Sequence, residues 1–458
     1  MASVSSHTAG NLLAVSGPGT ETAESPQVSK SAAEFVLVAV PKVLGAGIQL
    51  FVNVLLLRVL GPEISGVLFV CISSVLLGDA VLGSALDLAV LRLATGRNPA
   101  DGQSALAVQK AAVLLKLAGC VTFGLLAGPF ARPISRIVFH SEAYSGLLFL
   151  SLAGLFGLLL LRSVQTCFQV SRRFLLYGTT DLCHTALKFG GVGLIAVATS
   201  LTPAIVLTLY AAAPIVVAIA MILFAAKDVL TTPLHRGDVI RLLQLFKWYV
   251  GGAATGSVTS RMDLFLLSAF AGSRQAGVFS AAQTMIVPFQ LLGMYLGVVF
   301  APRVMPLWET GRLSSVYARF QTAITLLSVV CYVLAVAVGS AIISRIVPAS
   351  FSGTSTLVLI LLPSSLTSLI NFPWTVSFLM FTHPRFLMCF DACALLILGV
   401  VYWQAVERYG AAGAAAVTSL FAISKTCVLQ ILAVITMKRG LLRTGQVSCL
   451  NSNETLVT

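Results

Sequence analysis

The sequence predicts an all-α polytopic membrane protein: about twelve transmembrane helices in two six-helix lobes, related as a parallel repeat, around a central cavity. Three observations predict it. Of 458 residues, 57% are hydrophobic and 10% charged, where a soluble domain carries about 25% charged residues. Apolar runs of about 20 residues, enough to cross a hydrocarbon core of about 30 Å, recur along most of the chain. Finally, one short connection is written twice. VLGPEISGVLF (59–69) and AFAGSRQAGVFS (269–280) align Gly61 with Gly272, Gly66 with Gly277 and Val67 with Val278, each behind an apolar run.

Residues 1–32 are small, polar and nearly charge-free, without the basic and apolar segments of a cleaved signal peptide, and read as a disordered cytoplasmic tail. The N-terminal lobe, 33–226, holds spans near 34–58, 65–89, 107–131, 145–170, 176–199 and 203–226. KDVLTTPLHRGDVIRLLQ (227–244), at mid-chain, is the natural linker. The C-terminal lobe, 245–438, holds spans near 245–271, 277–301, 320–344, 355–380, 386–406 and 411–437, and 439–458 forms a second tail. Six spans separate the repeated connections. An even number preserves direction, so the halves are related by an axis along the membrane normal.

Basic residues orient the chain. With a cytoplasmic N-terminus, the inner side holds fifteen: Lys30, Arg92, Arg97, Arg172, Arg173, Lys227, Arg236, Arg241, Arg303, Arg312, Arg319, Arg385, Lys438, Arg439 and Arg443. The outer side holds six: Arg58, Arg132, Arg136, Arg274, Arg345 and Arg408. This is a positive-inside bias with both termini in the cytoplasm. The net charge of +13 therefore implies no nucleic-acid partner. Nine cysteines, scattered without metal-ligand spacing, imply neither a disulfide framework nor a metal site.

Charges inside the spans are the chemical signal. Lys42, Arg162, Lys188, Arg261 and Lys425 sit too deep to snorkel easily, and each would cost roughly 2.5–3.5 kcal/mol or more facing lipid. Lys110 and Lys247 lie near span ends and can snorkel; Lys116 is a further basic residue in a span. The deep cations are expected to line a polar, mostly cationic interior suited to an anionic cargo such as a pyrophosphate. Asp79, Asp87, Asp181, Asp263 and Asp391 are the acidic counterparts, with Asp87 expected near the inner surface beside Arg92. Asp181, His184 and Lys188 fall at i, i+3 and i+7 on one helix stripe, as either a titratable relay or an internal salt bridge with a satisfied histidine. Arg261 and Asp263 point to different sides, so Arg261 is not expected to pair with its neighbour. Pro41, Pro214, Pro288, Pro363 and Pro373 fall inside spans as candidate kinks.

LLLRVLGPEISGVLFVCISSVLLGDAVLGSALDLAVLRLATG (55–96) resembles the start of polysaccharide flippases, which read leucines, L-G-P-x-x-x-G and a long span ending in small residues and an Arg. RMDLFLLSAFAGSRQAGVFSAAQTMIVP (261–288) looks like the matching second-half pattern, and PASFSGTSTLVLILLP (348–363) and YGAAGAAAVTSL (409–420) are also similar. The chain thus resembles the Wzx-like branch of the multidrug/oligosaccharidyl-lipid/polysaccharide (MOP) exporter superfamily. The resemblance implies two lobes around a V-shaped cavity, alternating access, and no cofactor. It implies a bacterial inner-membrane flippase moving undecaprenyl-pyrophosphate-linked oligosaccharide to the outer leaflet for O-antigen or exopolysaccharide synthesis. Glycosyltransferases and a polysaccharide polymerase would be its partners, and H⁺ or Na⁺ its coupling ion.

The same resemblance points to Lys42 and Arg261 for pyrophosphate binding; their depth in the spans makes Arg162, Lys188 and Lys425 further candidates, and the acidic and histidine positions Asp181, His184, Asp263 and Asp79 are the candidates for ion coupling. Asp79 and Asp87 stand in the second span where lipid II flippases place a basic residue, and two further C-terminal spans of those flippases are not expected here. Both departures favour an oligosaccharide cargo over lipid II. Two alternatives stay open: an ion-coupled multidrug antiporter of the same fold, which requires a carboxylate-dominated lumen, and a membrane polysaccharide polymerase or ligase, which would carry a large outer loop.

Overall fold

The computed structural model describes residues 25–95, 102–171, 173–198, 200–309, 313–371, 375–376, 378–379 and 384–454, and among them every regular element is helical. The tail before Ser25, Arg97, Arg172, Arg312 and Pro373 lie outside the described residues. A helical run Ser25–Gly78 breaks at Gly61, giving α1 (25–60) and α2, which continues from 62 through a π-helical turn (Asp79–Ser84) to Thr95. Next come α3 (Gly102–Ala127), α4 (Ser145–Val170), α5 (Phe174–Ala198) and α6 (Pro203–Ala225). The second half comprises α7 (Arg236–Ala271), α8 (Ser273–Glu309), α9 (Leu313–Ile346) and α10 (Thr354–Asn371). A final run, Pro384–Glu454, breaks at Gly410 into α11 (384–409) and α12 (411–454).

Nine continuous helical stretches among the described residues are long and apolar enough to cross a membrane, and two of them, Val40–Ala94 and Phe386–Lys438, each contain two spans. The remaining span is α7, whose Gly-, Ser- and Thr-rich sequence with Arg261 and Asp263 makes it too polar to face lipid. The chain is a multi-pass membrane protein with the expected helices in the expected order. Helix nevertheless begins at Ser25, within the segment read as tail, and α7 begins at Arg236, within the segment read as linker. Around Arg236 and Asp238 the helix stays regular while its side chains turn polar, because hydropathy marks the membrane edge rather than the helix end.

The repeated connection is structurally equivalent in both copies. Gly61 (φ 73, ψ 173) and Gly272 (φ 85, ψ 164) adopt the same positive-φ conformation, which glycine enters without steric cost. Downstream, the copies touch. A Cβ at Gly66 would overlap the Ser273 carbonyl oxygen, and a Cβ at Gly277 would overlap the Pro62 carbonyl oxygen. Pro62 and Ser273 occupy equivalent positions, so the contact is reciprocal and the axis relating the lobes passes between the two glycines. At the same end, Arg58 donates from Nη2 to the Ile346 carbonyl (3.1 Å), and Ser268 Oγ donates to the Val138 carbonyl (2.8 Å).

At the opposite end, where α1 begins, α7 rests on the N-terminal lobe. Leu242, fully buried, packs with Leu86 and Val90 of α2 and Val108 and Ala112 of α3. Arg92 Nη1 donates to the Tyr249 hydroxyl (3.0 Å). The lobes therefore meet at both faces of the bundle.

Gly66→Ala is expected to push the lobes apart at the Gly61 face, since the new methyl meets backbone rather than a mobile side chain. Electron–electron distance measurements between spin labels at Glu63 and Arg345, which lie in different lobes, should shift to longer and broader distances. An unchanged distribution would count against this contact as the closing element.

Candidate functional site

Deep charges of the N-terminal lobe form a chain across α1, α5, α4 and α2. Lys42 of α1 lies 3.9 Å from Asp181 of α5, with its ammonium 4.8 Å from the Tyr177 ring centroid. Gln165 Nε2 of α4 donates to Asp181 Oδ1 (3.2 Å), and Arg162 Nη1 donates to Gln165 Oε1 (3.2 Å). The Arg162 guanidinium then reaches Asp79 Oδ2 at 3.7 Å. Asp79 opens the π-helical turn of α2, and Gly78 and Gly83 flanking it leave room for Leu155 and Leu159 of α4. A π-helical turn re-aims the side chains it carries, and here it places Asp79 against α4.

The ion pairs fall into two kinds. Lys116 Nζ lies 2.6 Å from Asp87 Oδ1, its side chain 1% exposed, and Thr166 Oγ1 donates to the same carboxylate oxygen (2.7 Å). In the C-terminal lobe, Lys425 of α12 pairs with Asp391 of α11 at 2.5 Å, with Phe390 beside the ammonium. Both contacts are short; the Lys116 side chain is enclosed, whereas Lys425 and Asp391 stay 30% and 20% exposed. Lys42–Asp181 and Arg162–Asp79 are longer, at 3.9 and 3.7 Å. Ion pairs stretched toward 4 Å hold their partners weakly.

Three sequence expectations change. The mostly cationic interior is instead largely compensated: Lys42, Lys116, Arg162 and Lys425 each stand by a carboxylate, because an ammonium in low dielectric is costly without a partner. Asp87 is not a surface partner of Arg92; it turns inward to Lys116 and Thr166, while Arg92 bonds Tyr249. The α5 stripe is divided among separate partners. Asp181 faces Lys42 and Gln165, whereas Lys188, 6% exposed, donates to Gln49 Oε1 (3.2 Å) and sits 4.4 Å from the Phe189 and Tyr210 ring centroids. His184 Nδ1 between them is buried without a hydrogen-bond partner among the described residues.

Arg261 and Asp263 diverge as their spacing requires. Asp263, 3% exposed, accepts from Gln283 Nε2 of α8 (3.1 Å) and from Thr418 Oγ1 of α12 (3.4 Å), beside Tyr402 of α11. Among the described residues, no hydrogen bond or ion pair engages the Arg261 guanidinium. Sequence reasoning passed over Lys116 as a deep cation, and with it Gln49, Gln165 and Thr166. Polar residues inside the runs GAGIQLFVN and LLRSVQTCF were the available signal.

Among the described residues no cluster of metal-ligating side chains occurs, and the eight described cysteines are free thiols. Removing one member of the closed pair should be costly. Lys116→Met is expected to lower stability by about 3–5 kcal/mol by stranding Asp87, and adding Asp87→Leu should restore most of the loss. Unfolding curves of the two variants in detergent would check this.

Scans of family models and of curated protein sequences each give no match. Solved structures do match. The lipid II flippase MurJ in an inward closed conformation superposes with TM-score 0.71 at 13% identity, covering 89% of this chain and 91% of that one. An outward-facing multidrug resistance MATE family transporter of the MOP superfamily gives 0.58 at 13% identity, covering 89% and 96%. A MOP superfamily transporter from Pyrococcus furiosus, described as having a binding pocket of reverse polarity that suggests a different function, gives 0.60 at 14% identity, covering 89% and 96%. The fold is that of the MOP transporters.

Proposed function

We propose that this protein is an alternating-access flippase that carries a polyprenyl-pyrophosphate-linked oligosaccharide across the bacterial inner membrane, from inner to outer leaflet. The observation that carries the reading is the contrast between closed and loose cations. Lys116 and Lys425 are held at 2.6 and 2.5 Å by their carboxylates. Lys42 and Arg162 are held at 3.9 and 3.7 Å, and the Arg261 guanidinium has no hydrogen-bond partner among the described residues. A pyrophosphate offers these three cations shorter, charge-assisted bonds than their present ones. Lys188, buried against Gln49 and two rings, and Lys425 would then support the wall of the site rather than grip cargo.

Coupling follows from the same exchange. When a diphosphate takes Lys42 and Arg162, Asp181 and Asp79 lose their counter-charges inside the membrane. Leaving them ionised and unpaired is costly, so each must gain a proton or a metal cation, and cargo binding becomes linked to cation uptake. Asp263, enclosed by Gln283 and Thr418, is a second candidate for the coupling ion. An ion-coupled antiporter for organic cations shares this fold, but it needs carboxylates free of neighbouring lysine and arginine, and of Asp79, Asp87, Asp181, Asp263 and Asp391 four stand in ion pairs, leaving Asp263. Glycosyltransferases and a polysaccharide polymerase would act before and after this step.

Neutralising Lys42 and Arg261 together, as Lys42→Gln and Arg261→Gln, is expected to weaken binding of polyprenyl pyrophosphate by more than about tenfold, since each hydrogen bond to a charged group contributes about 1.5–3 kcal/mol. Polysaccharide export in cells should fall with it, while the protein remains in the membrane. Unchanged binding in the purified double variant would overturn the assignment.

A further inference from the structure

A cavity of about 680 Å³ lies at the seam between α2, α3 and α4 of the N-terminal lobe and α7 of the other. Its wall is almost wholly apolar. Of its few hydroxyls, Ser74 Oγ donates to the Val70 carbonyl (3.0 Å) and Ser151 Oγ to the Leu147 carbonyl (2.9 Å), both on their own helices. Such a wall offers nothing to a sugar or a phosphate, and an apolar space of this size is poorly suited to water. One side is open to the bilayer: Phe123, Leu126 and Phe149 line the cavity and are each at least half exposed.

The cavity has a top and a depth. Along α3 it runs from Gly119 to Gly128, roughly 13 Å at 1.5 Å per residue, about half of a hydrocarbon core of about 30 Å. Its upper end, on the Gly61 side, is Ala131 and Ile134 of the short helix Ala131–Phe139. That helix buries Ala131, Ser135 and Phe139 and leaves Arg132 and Arg136 exposed, with Phe130 and Ile137 also exposed beside them. Such a helix suits the membrane interface. Ser135 Oγ fixes it by donating to the Ser141 carbonyl (2.6 Å), and Ser268 of α7 donates to its Val138 carbonyl. The neighbouring Glu142 holds Arg136 only at 3.9 Å and in the open.

We propose that this cavity is a binding site for an anionic diacyl phospholipid of the leaflet on the Gly61 side, with one acyl chain in the slot and the phosphate at Arg132 and Arg136. The half-membrane depth argues for an acyl chain rather than a long polyprenyl tail, which the slot could not enclose. Arg132 and Arg136 put two positive charges on the short helix whose Ala131 and Ile134 close the slot. Because Val258 and Phe265 of α7 form part of the wall, the lipid would touch both lobes at once. The proposal is independent of what the central site carries.

Native mass spectrometry of the full chain in detergent, titrated with dioleoyl phosphatidylglycerol or dioleoyl phosphatidylcholine, tests it. The wild type should retain the anionic lipid in preference to the zwitterionic one. Arg132→Gln with Arg136→Gln should weaken retention of phosphatidylglycerol by about tenfold, since each basic residue adds a factor of a few in attraction to anionic lipid, and leave phosphatidylcholine unchanged. Leu152→Trp, which fills the slot, should remove both, and Thr122→Phe should repeat that result should the first variant fold poorly. Equal retention of the two lipids, retention indifferent to the arginines, or displacement of phosphatidylglycerol by equimolar polyprenyl phosphate would each overturn it.

Discussion

The arrangement of this protein depends on one constraint: a cation placed within hydrocarbon depth must find a partner or water. Each deep charge meets it in its own way. Lys116 and Lys425 hold carboxylates at hydrogen-bond distance, Lys188 leans on an amide and two rings, and Lys42 and Arg162 share a looser chain through Gln165. Satisfying so many charges draws α1 through α6 around a common polar interior, which also explains why the π-helical turn sits at Asp79, where α2 must meet Arg162.

A second constraint works at the seam. The lobes approach at Gly66 and Gly277 until backbone touches backbone, and around that contact Leu60, Val67 and Leu68 are buried in one cluster with Leu267, Ala276 and Phe279 of the other half. At the other face the Leu242 side chain packs with Leu86, Ala89 and Val90 of α2 and Val108, Ala111 and Ala112 of α3 and holds α7 on the N-terminal lobe. In the proposed alternating-access cycle these two contacts would not persist together.

Much of the fold was legible because membrane helices announce themselves by length and hydropathy. The twelve spans, their order and the parallel repeat could be read from apolar runs and from two glycine-bracketed turns. Helix ends were less legible at Ser25 and Arg236, since a helix does not stop where the membrane does. At the candidate site, the depth of Lys42, Arg162 and Arg261 could be read from their positions in the runs, but their partners could not. Asp87 looked like a neighbour of Arg92 because five positions separate them in sequence; helix packing instead gives it to Lys116.

By itself, the sequence determined that the chain crosses the membrane repeatedly, that its halves repeat, and that it places costly charges at depth. Each of these depends on hydropathy or on spacing along one chain. Tertiary structure alone decided which cations are closed off and which are held loosely, and that the repeated glycines meet face to face. Those outcomes turn on distances between helices far apart in sequence, where a difference of about 1.3 Å, as between the Lys116 and Lys42 pairs, separates a closed ion pair from a loosely held one.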